Sequence, residues 1–374
     1  MSDRHGIARM VRALVILCAC AALSGCGGDS DSGQTGSATD ETYRWKLVTA
    51  WPPNLPVNHE VVAEFAESIE VMSRGQMTIQ VYAGGELIPP LEVFDAVSNG
   101  TTVQMGHAAA YYWAGKVPAA QYMSAVPFGL TARGMVAWLH GGDGLKLWRE
   151  LYAPFDLVPF PMGNTGTQMG GWFNKRVESV ADLNGLKMRI PGLGGKALAK
   201  AGGNPVLLSG GDVYTALERG NIDATEWVGP LHDVRFGLDR AAKYYYYPGW
   251  HEPSTQLELI VNKRAYDALP EHLRLIIDTA ATAAGVAFHS RMEAANARTY
   301  AELLAKGQVE MVEFPHEVLG ALHDAATEAL DEEADRDPKF REVRDNYEAF
   351  RATFDAWDDI TEDAYRRYLN QAQR

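Results

Sequence analysis

Cysteine is scarce in this chain. The 374 residues contain three cysteines, Cys18, Cys20 and Cys26, and all of them stand near the amino terminus. The rest of the chain has no pair of thiols to form a disulfide and no cysteine cluster to hold a metal ion. We therefore expect a fold that depends on neither.

The usual signatures of several enzyme classes are also missing. The sequence has no Gly-x-Ser-x-Gly and no His-Glu-x-x-His motif. Residues 192–196 read Gly-Leu-Gly-Gly-Lys, but Ala197 stands where a phosphate-binding loop needs Ser or Thr, so we interpret them as a glycine-rich turn. The enzymatic alternative is a secreted lyase or glycosidase that uses Glu226 and Glu252 as an acid–base pair.

The apolar run at residues 13–23 is too short for a lasting membrane span. It follows Arg4, Arg9 and Arg12 and ends in Leu-Ser-Gly-Cys, which is similar to a bacterial lipobox. This arrangement predicts a signal peptide over residues 1–25 and a lipid on Cys26, which would tether the protein to a membrane. The alternative is an ordinary signal peptide that happens to contain a cysteine. Residues 26–42 are mostly small and polar and indicate a flexible tether.

Basic residues are fewer than acidic ones in this chain. The chain has a formal net charge of −14, and removal of the signal peptide takes away more basic than acidic residues. An acidic surface argues against nucleic acid as a partner. It also makes a buried arginine the natural group to hold an anionic ligand.

About 330 residues remain after the tether, which suits two lobes of ~150 residues each. Their first part alternates strand and helix patterns, which favours βαβ units and a parallel sheet. The predicted elements are a strand at 44–49, a helix around 61–69, a strand at 77–82, a helix at 91–98 and a strand at 103–109.

The stretch from Asp182 to Trp227 carries the charged residues of most interest. An Asn-Gly turn leads into a short strand that brings Arg189 to its end, and a helix follows with Asp212 as N-cap and Gly220 as C-cap. A second strand over 222–224 then delivers Glu226 and Trp227. Open α/β sheets bind ligands at such strand ends. Arg189 is therefore either a carboxylate ligand or half of a structural salt bridge, with Glu226 as a possible partner.

From Pro270 onward the pattern is almost wholly helical, with a break at Asp337-Pro338. The last segment carries an aromatic stripe that packs either on the chain's own lobes or on another subunit. Its members are Phe350, Phe354, Trp357, Tyr365 and Tyr368.

Several of these motifs together resemble the solute-binding proteins of tripartite ATP-independent periplasmic (TRAP) transporters. The resemblance covers residues 43–350 and rests on 182–191, 213–227, Gly84-Gly85-Glu86-Leu87 and 94–100. Residues 163–172 and 226–230 are most similar to the branch that binds 2-oxo and 2-hydroxy monocarboxylates together with a metal cation.

This resemblance implies an α/β fold with the two-lobed architecture of periplasmic binding proteins and a ligand cleft between the lobes. Lobe I would comprise residues 43–166 and 255–294, and lobe II residues 167–254 and 295–336. Residues 337–374 would form a C-terminal helical extension. The protein would be a lipid-anchored periplasmic component, not an enzyme, and would deliver its ligand to TRAP membrane permease subunits. A homodimer through the C-terminal helices is also expected.

The resemblance also assigns residues to a binding site. Arg189 would bind the carboxylate through two hydrogen bonds, with Gln168 as a further contact. Tyr111 and Tyr112 would wall one side of the ligand cleft; the alternative is packing in the core or at an interface. Glu252 either completes the site by binding a ligand hydroxyl or the cation, or is an ordinary surface glutamate. A metal ion would be held by Glu226, the backbone carbonyl of Trp227 and Gln168; such hard oxygen ligands fit Na⁺ or Ca²⁺. An alternative within the family is a dicarboxylate-binding protein without metal. We interpret His251 as a packing residue.

Overall fold

The computed structural model of the protein describes residues 41–372. The predicted signal peptide, Cys26 and nearly all of the predicted tether lie outside this range. The described chain contains two β-sheets covered by helices and a set of helices at its carboxyl end, which confirms the predicted α/β class. Within residues 41–372 no helix is both long and apolar enough to cross a bilayer.

The first sheet has five strands: β1 (Tyr43–Thr49), β2 (Met77–Tyr82), β3 (Met105–Ala109), β4 (Leu157–Asn164) and β10 (Gln256–Asn262). Their order is β2-β1-β3-β10-β4. β1 pairs in parallel with β2 and β3, as the alternating pattern predicted, whereas β10 runs antiparallel to β3 and β4. Every residue of β3 and β10 is buried, which is typical of strands covered on both faces.

The second sheet has six short strands: β5 (Gly171–Phe173), β6 (Lys187–Arg189), β7 (Asn204–Val206), β8 (Ala224–Thr225), β9 (Tyr244–Tyr247) and β11 (Glu310–Glu313). Their order is β11-β9-β5-β8-β6-β7. One of these strands is made entirely of tyrosine. This run forms β9, because Tyr245 stacks on Trp172 at 4.0 Å between ring centroids and Tyr246 is buried against Phe314.

Thirteen α-helices are present in the described chain, and the predicted helices around 61–69 and 91–98 are confirmed. The region after Pro270 is not wholly helical, because β11 interrupts it and pairs with β9. The helices are α1 (Asn58–Met72), α2 (Val93–Asn99), α3 (Ala132–Gly141), α4 (Gly144–Tyr152), α5 (Gly192–Lys200), α6 (Gly210–Glu218), α7 (Pro230–Phe236), α8 (Leu238–Ala241), α9 (Lys263–Asp267), α10 (Glu271–Lys306), α11 (His316–Arg336), α12 (Pro338–Ile360) and α13 (Glu362–Ala372).

Two local predictions need correction. Residues 192–196 are not a turn but the first half of α5, whose Leu193, Ala197 and Leu198 are buried on one face. Glycine is needed here for close packing, since a Cβ on Gly195 would lie 2.7 Å from the carbonyl oxygen of Ile190. Asp212 is not the N-cap of α6, because the helix begins two residues earlier at Gly210.

The chain passes from the first sheet to the second after β4 and returns at β10. The long helix α10 packs against β4, α1 and α7. At the carboxyl end α12 is fixed on α3 and its neighbouring loop, where the Tyr347 hydroxyl accepts a hydrogen bond from the backbone N–H of Leu130 at 2.7 Å. The aromatic stripe divides: Phe350 and Phe354 are partly buried, and the other three members are exposed.

Candidate functional site

Arg189 lies at the carboxyl end of β6, where the sequence predicted it. β8, its neighbour, is limited to Ala224–Thr225 and does not include Ile222, so Glu226 follows the strand directly. The guanidinium is 1% exposed, and its Nη1 donates to the Glu226 carboxylate. Burial opposes the charge of Arg189, but the negative charge of Glu226 raises its pKa above the ordinary value. Arg189 is therefore a permanent buried cation.

One edge of this guanidinium is not used within the described protein. Nε donates to the carbonyl of Leu208 at 3.3 Å, whereas Nη2 has no hydrogen-bond partner there. The Trp227 ring supports the group from one face, with 4.7 Å between Cζ and the ring centroid. A buried donor without a partner is costly. An oxygen of a bound anion would satisfy it.

Glu226 is equally buried and only half satisfied. Its Oε1 accepts from Arg189, while Oε2 has no hydrogen-bond partner in the described chain and lies 3.5 Å from Nε2 of His251. His251 is buried beside Trp250 with 5.5 Å between ring centroids, which agrees with a packing role, but both its nitrogens lack partners within residues 41–372. The sequence did not predict this closeness of His251 to Glu226.

Gln168 and Glu252 form a second polar pair. The Gln168 amide lies 2.8 Å from Oε2 of Glu252 and 2.8 Å from the Thr255 hydroxyl, which itself donates to Glu252. The carbonyl oxygen Oε1 of Gln168 has no partner among the described residues. Burial raises the pKa of Glu252 well above its usual value, and the charge of Glu226 adds to this effect.

Gln168 lies in the segment between β4 and β5. Its position depends on a close backbone approach to Gly249, where a Cβ would lie 2.2 Å from the Gln168 carbonyl oxygen. The Gln168 N–H donates to the carbonyl of Glu252 at 3.2 Å. The glycine thus allows two segments that are distant in sequence to present Gln168 and Glu252 together.

These groups adjoin a narrow cavity that is lined by Leu257 of the first sheet, Arg189 of the second and residues of the loops and helices around them. Its volume is about 20 Å³, counted as the space open to the centre of a water molecule. The lining residues are Trp51, Leu55, Asn58, Tyr111, Tyr112, Thr165, Gln168, Arg189, Trp227, Val228, His232, Thr255, Leu257 and Phe288.

Tyr111 and Tyr112 form the predicted aromatic wall of this cavity. Their ring centroids are 5.0 Å apart. Burial raises the pKa of Tyr112 to about 12 and that of Tyr111 well above its ordinary value. Both hydroxyls are therefore neutral at physiological pH, so they bring no further negative charge to the cavity.

The structure brings the predicted residues together in two layers. Five line the cavity: Gln168, Arg189, Trp227, Tyr111 and Tyr112. Glu226 and Glu252 do not line it, but stand directly behind it, bonded to Arg189 and Gln168 respectively. Sequence reasoning did not identify the other polar lining residues, which are Asn58, Thr165, His232 and Thr255. No local pattern distinguishes them, because they come from four separate segments.

A cation fits the chemistry of this site. Gln168 Oε1 and Glu226 Oε2 are buried oxygens without partners within residues 41–372. Ligand atoms from Glu226, His251 and Glu252 all lie within 4.8 Å of one another. Carboxylate, amide and backbone oxygens are the ligands that hard cations prefer.

Comparison with known proteins supports this chemistry. The profile of the family described as "Bacterial extracellular solute-binding protein, family 7" matches residues 47–337. A protein from Nostoc sp., named a monocarboxylate 2-oxoacid-binding periplasmic protein, is 42% identical over 332 residues, which cover 88% of this chain and 90% of that protein.

Two solved structures are similar over nearly the whole described chain. The first is a TRAP periplasmic solute-binding protein from Colwellia psychrerythraea with bound calcium and pyruvate; it is 41% identical with a TM-score of 0.85, over 88% of this chain and 100% of that one. The second is a TRAP periplasmic solute-binding protein from Pseudoalteromonas atlantica with bound sodium and pyruvate. It is 39% identical with a TM-score of 0.85, over 87% of this chain and 99% of that one.

Proposed function

The chain belongs to bacterial extracellular solute-binding protein family 7, and from this membership we propose that it captures a small 2-oxo or 2-hydroxy carboxylate together with Na⁺ or Ca²⁺. It then delivers the acid to the membrane permease of a TRAP transporter. The comparisons support solute binding and not the enzymatic alternative, in which Glu226 and Glu252 would act as an acid–base pair.

The observation that carries this proposal is the unused edge of Arg189. Among the described residues that line the cavity, Arg189 is the one with a permanent positive charge, and its Nη2 has no partner there. A planar guanidinium binds a carboxylate through parallel hydrogen bonds. The carboxylate of the ligand would take this position, with Tyr111 and Tyr112 excluding water from the other side.

The bridging cation would be held by Glu226, the backbone carbonyl of Trp227 and Gln168, with Glu252 completing the ligand site. When bound, the cation would supply positive charge to Glu226. Arg189, which pairs with that carboxylate in the structure, would then direct more of its hydrogen-bonding capacity to the acid. Acid and cation should therefore strengthen each other's binding.

The division into lobes follows the two sheets. We place residues 43–166 and 255–294 in lobe I, and 167–254 and 295–336 in lobe II, with 337–374 as a C-terminal extension. All five strands of the first sheet fall in lobe I and all six of the second in lobe II. A hinge between the lobes would open the narrow cavity and admit the ligand.

The place of action is outside the cytoplasm, as for other members of the family. The Leu-Ser-Gly-Cys sequence supports a lipid on Cys26 after removal of a signal peptide, and hence anchoring to a membrane. Three aromatic side chains of the carboxyl-terminal helices, Trp357, Tyr365 and Tyr368, are between 56% and 67% exposed. They support a homodimer through this extension.

A thermal-shift screen tests the proposed function. The mature protein is heated with 2-oxo acids, 2-hydroxy acids and dicarboxylates, each with and without Na⁺ or Ca²⁺. A ligand at a hundredfold excess over its Kd stabilises the native state by ~2.7 kcal/mol. We expect stabilisation by a 2-oxo or 2-hydroxy monocarboxylate that requires a cation and is lost in Arg189→Met. Stabilisation by dicarboxylates without any metal dependence would instead favour the metal-free alternative, and no stabilisation by any acid would contradict both.

A further inference from the structure

Two polar side chains of the cavity, Asn58 and His232, take no part in the cluster around Arg189. Asn58 is the first residue of α1, and His232 lies in α7. They meet at the backbone carbonyl of Pro56, which accepts the Asn58 N–H at 2.8 Å and faces Nε2 of His232 at 2.9 Å. One carbonyl thus holds two elements that are distant in sequence.

The hydrogen bond to Pro56 fixes the tautomer of His232. A carbonyl oxygen can only accept, so Nε2 carries the hydrogen and Nδ1 is left as an acceptor. Burial lowers the pKa of His232 to about 4, so the ring is neutral at physiological pH. The side chain is 1% exposed, and Nδ1 has no partner among the described residues.

Asn58 adds a second buried acceptor to the lining of the same cavity. It is 3% exposed, and its side-chain Oδ1 has no partner within residues 41–372. Three large apolar side chains also line the cavity: Trp51, Leu55 and Phe288. Buried acceptors in such surroundings are unfavourable unless a donor reaches them.

We propose that His232 and Asn58 form a subsite for the tail of the ligand, and that the ligand is a short 2-oxo or 2-hydroxy acid whose tail carries a hydrogen-bond donor, such as a hydroxyl group. This inference rests on the proposed function, with the carboxylate held at Arg189. The hydroxyl would donate to Nδ1 of His232 or Oδ1 of Asn58. The indole N–H of Trp227, which lines the same cavity and has no acceptor among the described residues, can donate to the hydroxyl oxygen.

The same subsite disfavours dicarboxylates. A second carboxylate in the tail would bring acceptors toward these two acceptors, and Arg189, the one permanent cation among the described lining residues, would already hold the first carboxylate. A tail that ends in a methyl group would fit the space but would leave both acceptors without a donor. The subsite would thus prefer a tail that ends in a hydroxyl over one that ends in a methyl group or a carboxylate.

Calorimetric titration with matched acids tests this subsite, with calcium present throughout. Hydroxypyruvate and 2-oxobutanoate have the same number of non-hydrogen atoms and differ in a terminal hydroxyl or methyl group. The same holds for 4-hydroxy-2-oxobutanoate and 2-oxopentanoate. Sites built to hydrogen-bond a hydroxyl reject the analogue without it strongly, so we expect the hydroxylated member of at least one pair to bind about tenfold tighter or more.

Substitutions of the two acceptor residues test whether they cause the preference for the hydroxylated acid. Asn58→Leu and His232→Phe should each reduce it to about threefold or less, because each removes one acceptor. The preference is the ratio of two affinities measured on one variant, so a loss of affinity common to both acids does not change it. His59→Phe is the matched control, since His59 is the next residue of α1 and is exposed; it should leave the preference unchanged.

The comparison of the matched acids on the wild-type protein does not depend on whether any variant folds. Equal or tighter binding of the methyl-ended acids in both pairs would overturn the subsite while leaving the proposed function intact. If none of the four acids binds with calcium present, the subsite is likewise overturned, and the thermal-shift screen decides the proposed function separately. A preference for the hydroxyl that persists in both variants would also overturn the assignment to Asn58 and His232.

Discussion

The pair formed by Arg189 and Glu226 makes the sharpest prediction about stability. Both side chains are 1% exposed, and each is the other's charged partner. Replacing Arg189 with methionine removes the cation and keeps much of the volume. It leaves the Glu226 carboxylate buried without its counter-charge, so the ligand-free protein should lose stability.

The size of the loss follows from this burial. Removing one partner of a buried ion pair costs ~3–5 kcal/mol, whereas replacing both with apolar residues is often neutral or stabilising. Folded domains have ~5–15 kcal/mol of stability, so Arg189→Met should still fold. The double variant Arg189→Met/Glu226→Met should recover most of the loss, even though it cannot bind the acid.

Urea unfolding of the ligand-free mature protein measures these free energies by linear extrapolation. Arg291→Met is the matched control: its guanidinium bonds both oxygens of Glu64 at 2.8 and 2.7 Å, but the side chains are 42% and 52% exposed. Exposed pairs contribute ~0–1 kcal/mol. A loss in Arg189→Met no greater than that in Arg291→Met, or a double variant less stable than the single one, would refute the reasoning.

Three further predictions concern other parts of the structure. Gln168→Leu removes an oxygen proposed to hold the cation, so the affinity for calcium measured by calorimetry should fall by about tenfold or more. Unchanged calcium affinity would remove Gln168 from the metal site. Burial raises the pKa of Glu258 from 4.5 to about 7, so the native state binds the extra proton in this range and stability should fall by ~3 kcal/mol as the pH rises from 4.5 to 7. Glu258→Gln should remove that part of the slope in unfolding measured at several pH values, and an unchanged slope would contradict this assignment. Gly249→Ala forces a methyl group toward the Gln168 carbonyl and should lower both the stability and the affinity for the acid. In the control Gly211→Ala no atom lies within 4 Å of the added Cβ, so stability and affinity should stay unchanged.

The sequence was most informative where local pattern and chemistry agree. The strand that ends at Arg189 was predicted from an Asn-Gly turn, a short run of residues and a proline stop, and it lies where expected. The helix before Glu226 was predicted from its apolar spacing and Gly220, which has the left-handed φ of 69°. These features depend on neighbours in the chain, so the sequence alone could indicate them.

Features that depend on distant contacts escaped prediction. β9 is a run of four tyrosines with no alternation of polar and apolar residues, and it becomes a strand by pairing with β5 and β11. Asn58 and His232 meet at the Pro56 carbonyl across 174 residues of chain, which no spacing rule indicates. The binding roles of Arg189, Gln168 and Glu226 came from family resemblance, and they stay predictions until binding is measured.

The reciprocal binding of acid and cation tests the central claim most directly. Pyruvate is titrated into the mature protein by calorimetry in sodium-free buffer, once with a chelator and once with saturating Ca²⁺, and Ca²⁺ is then titrated with and without saturating pyruvate. The account predicts that each ligand lowers the Kd of the other, by the same factor in both directions, of about tenfold or more. Pyruvate that binds with one Kd regardless of the cation would contradict it.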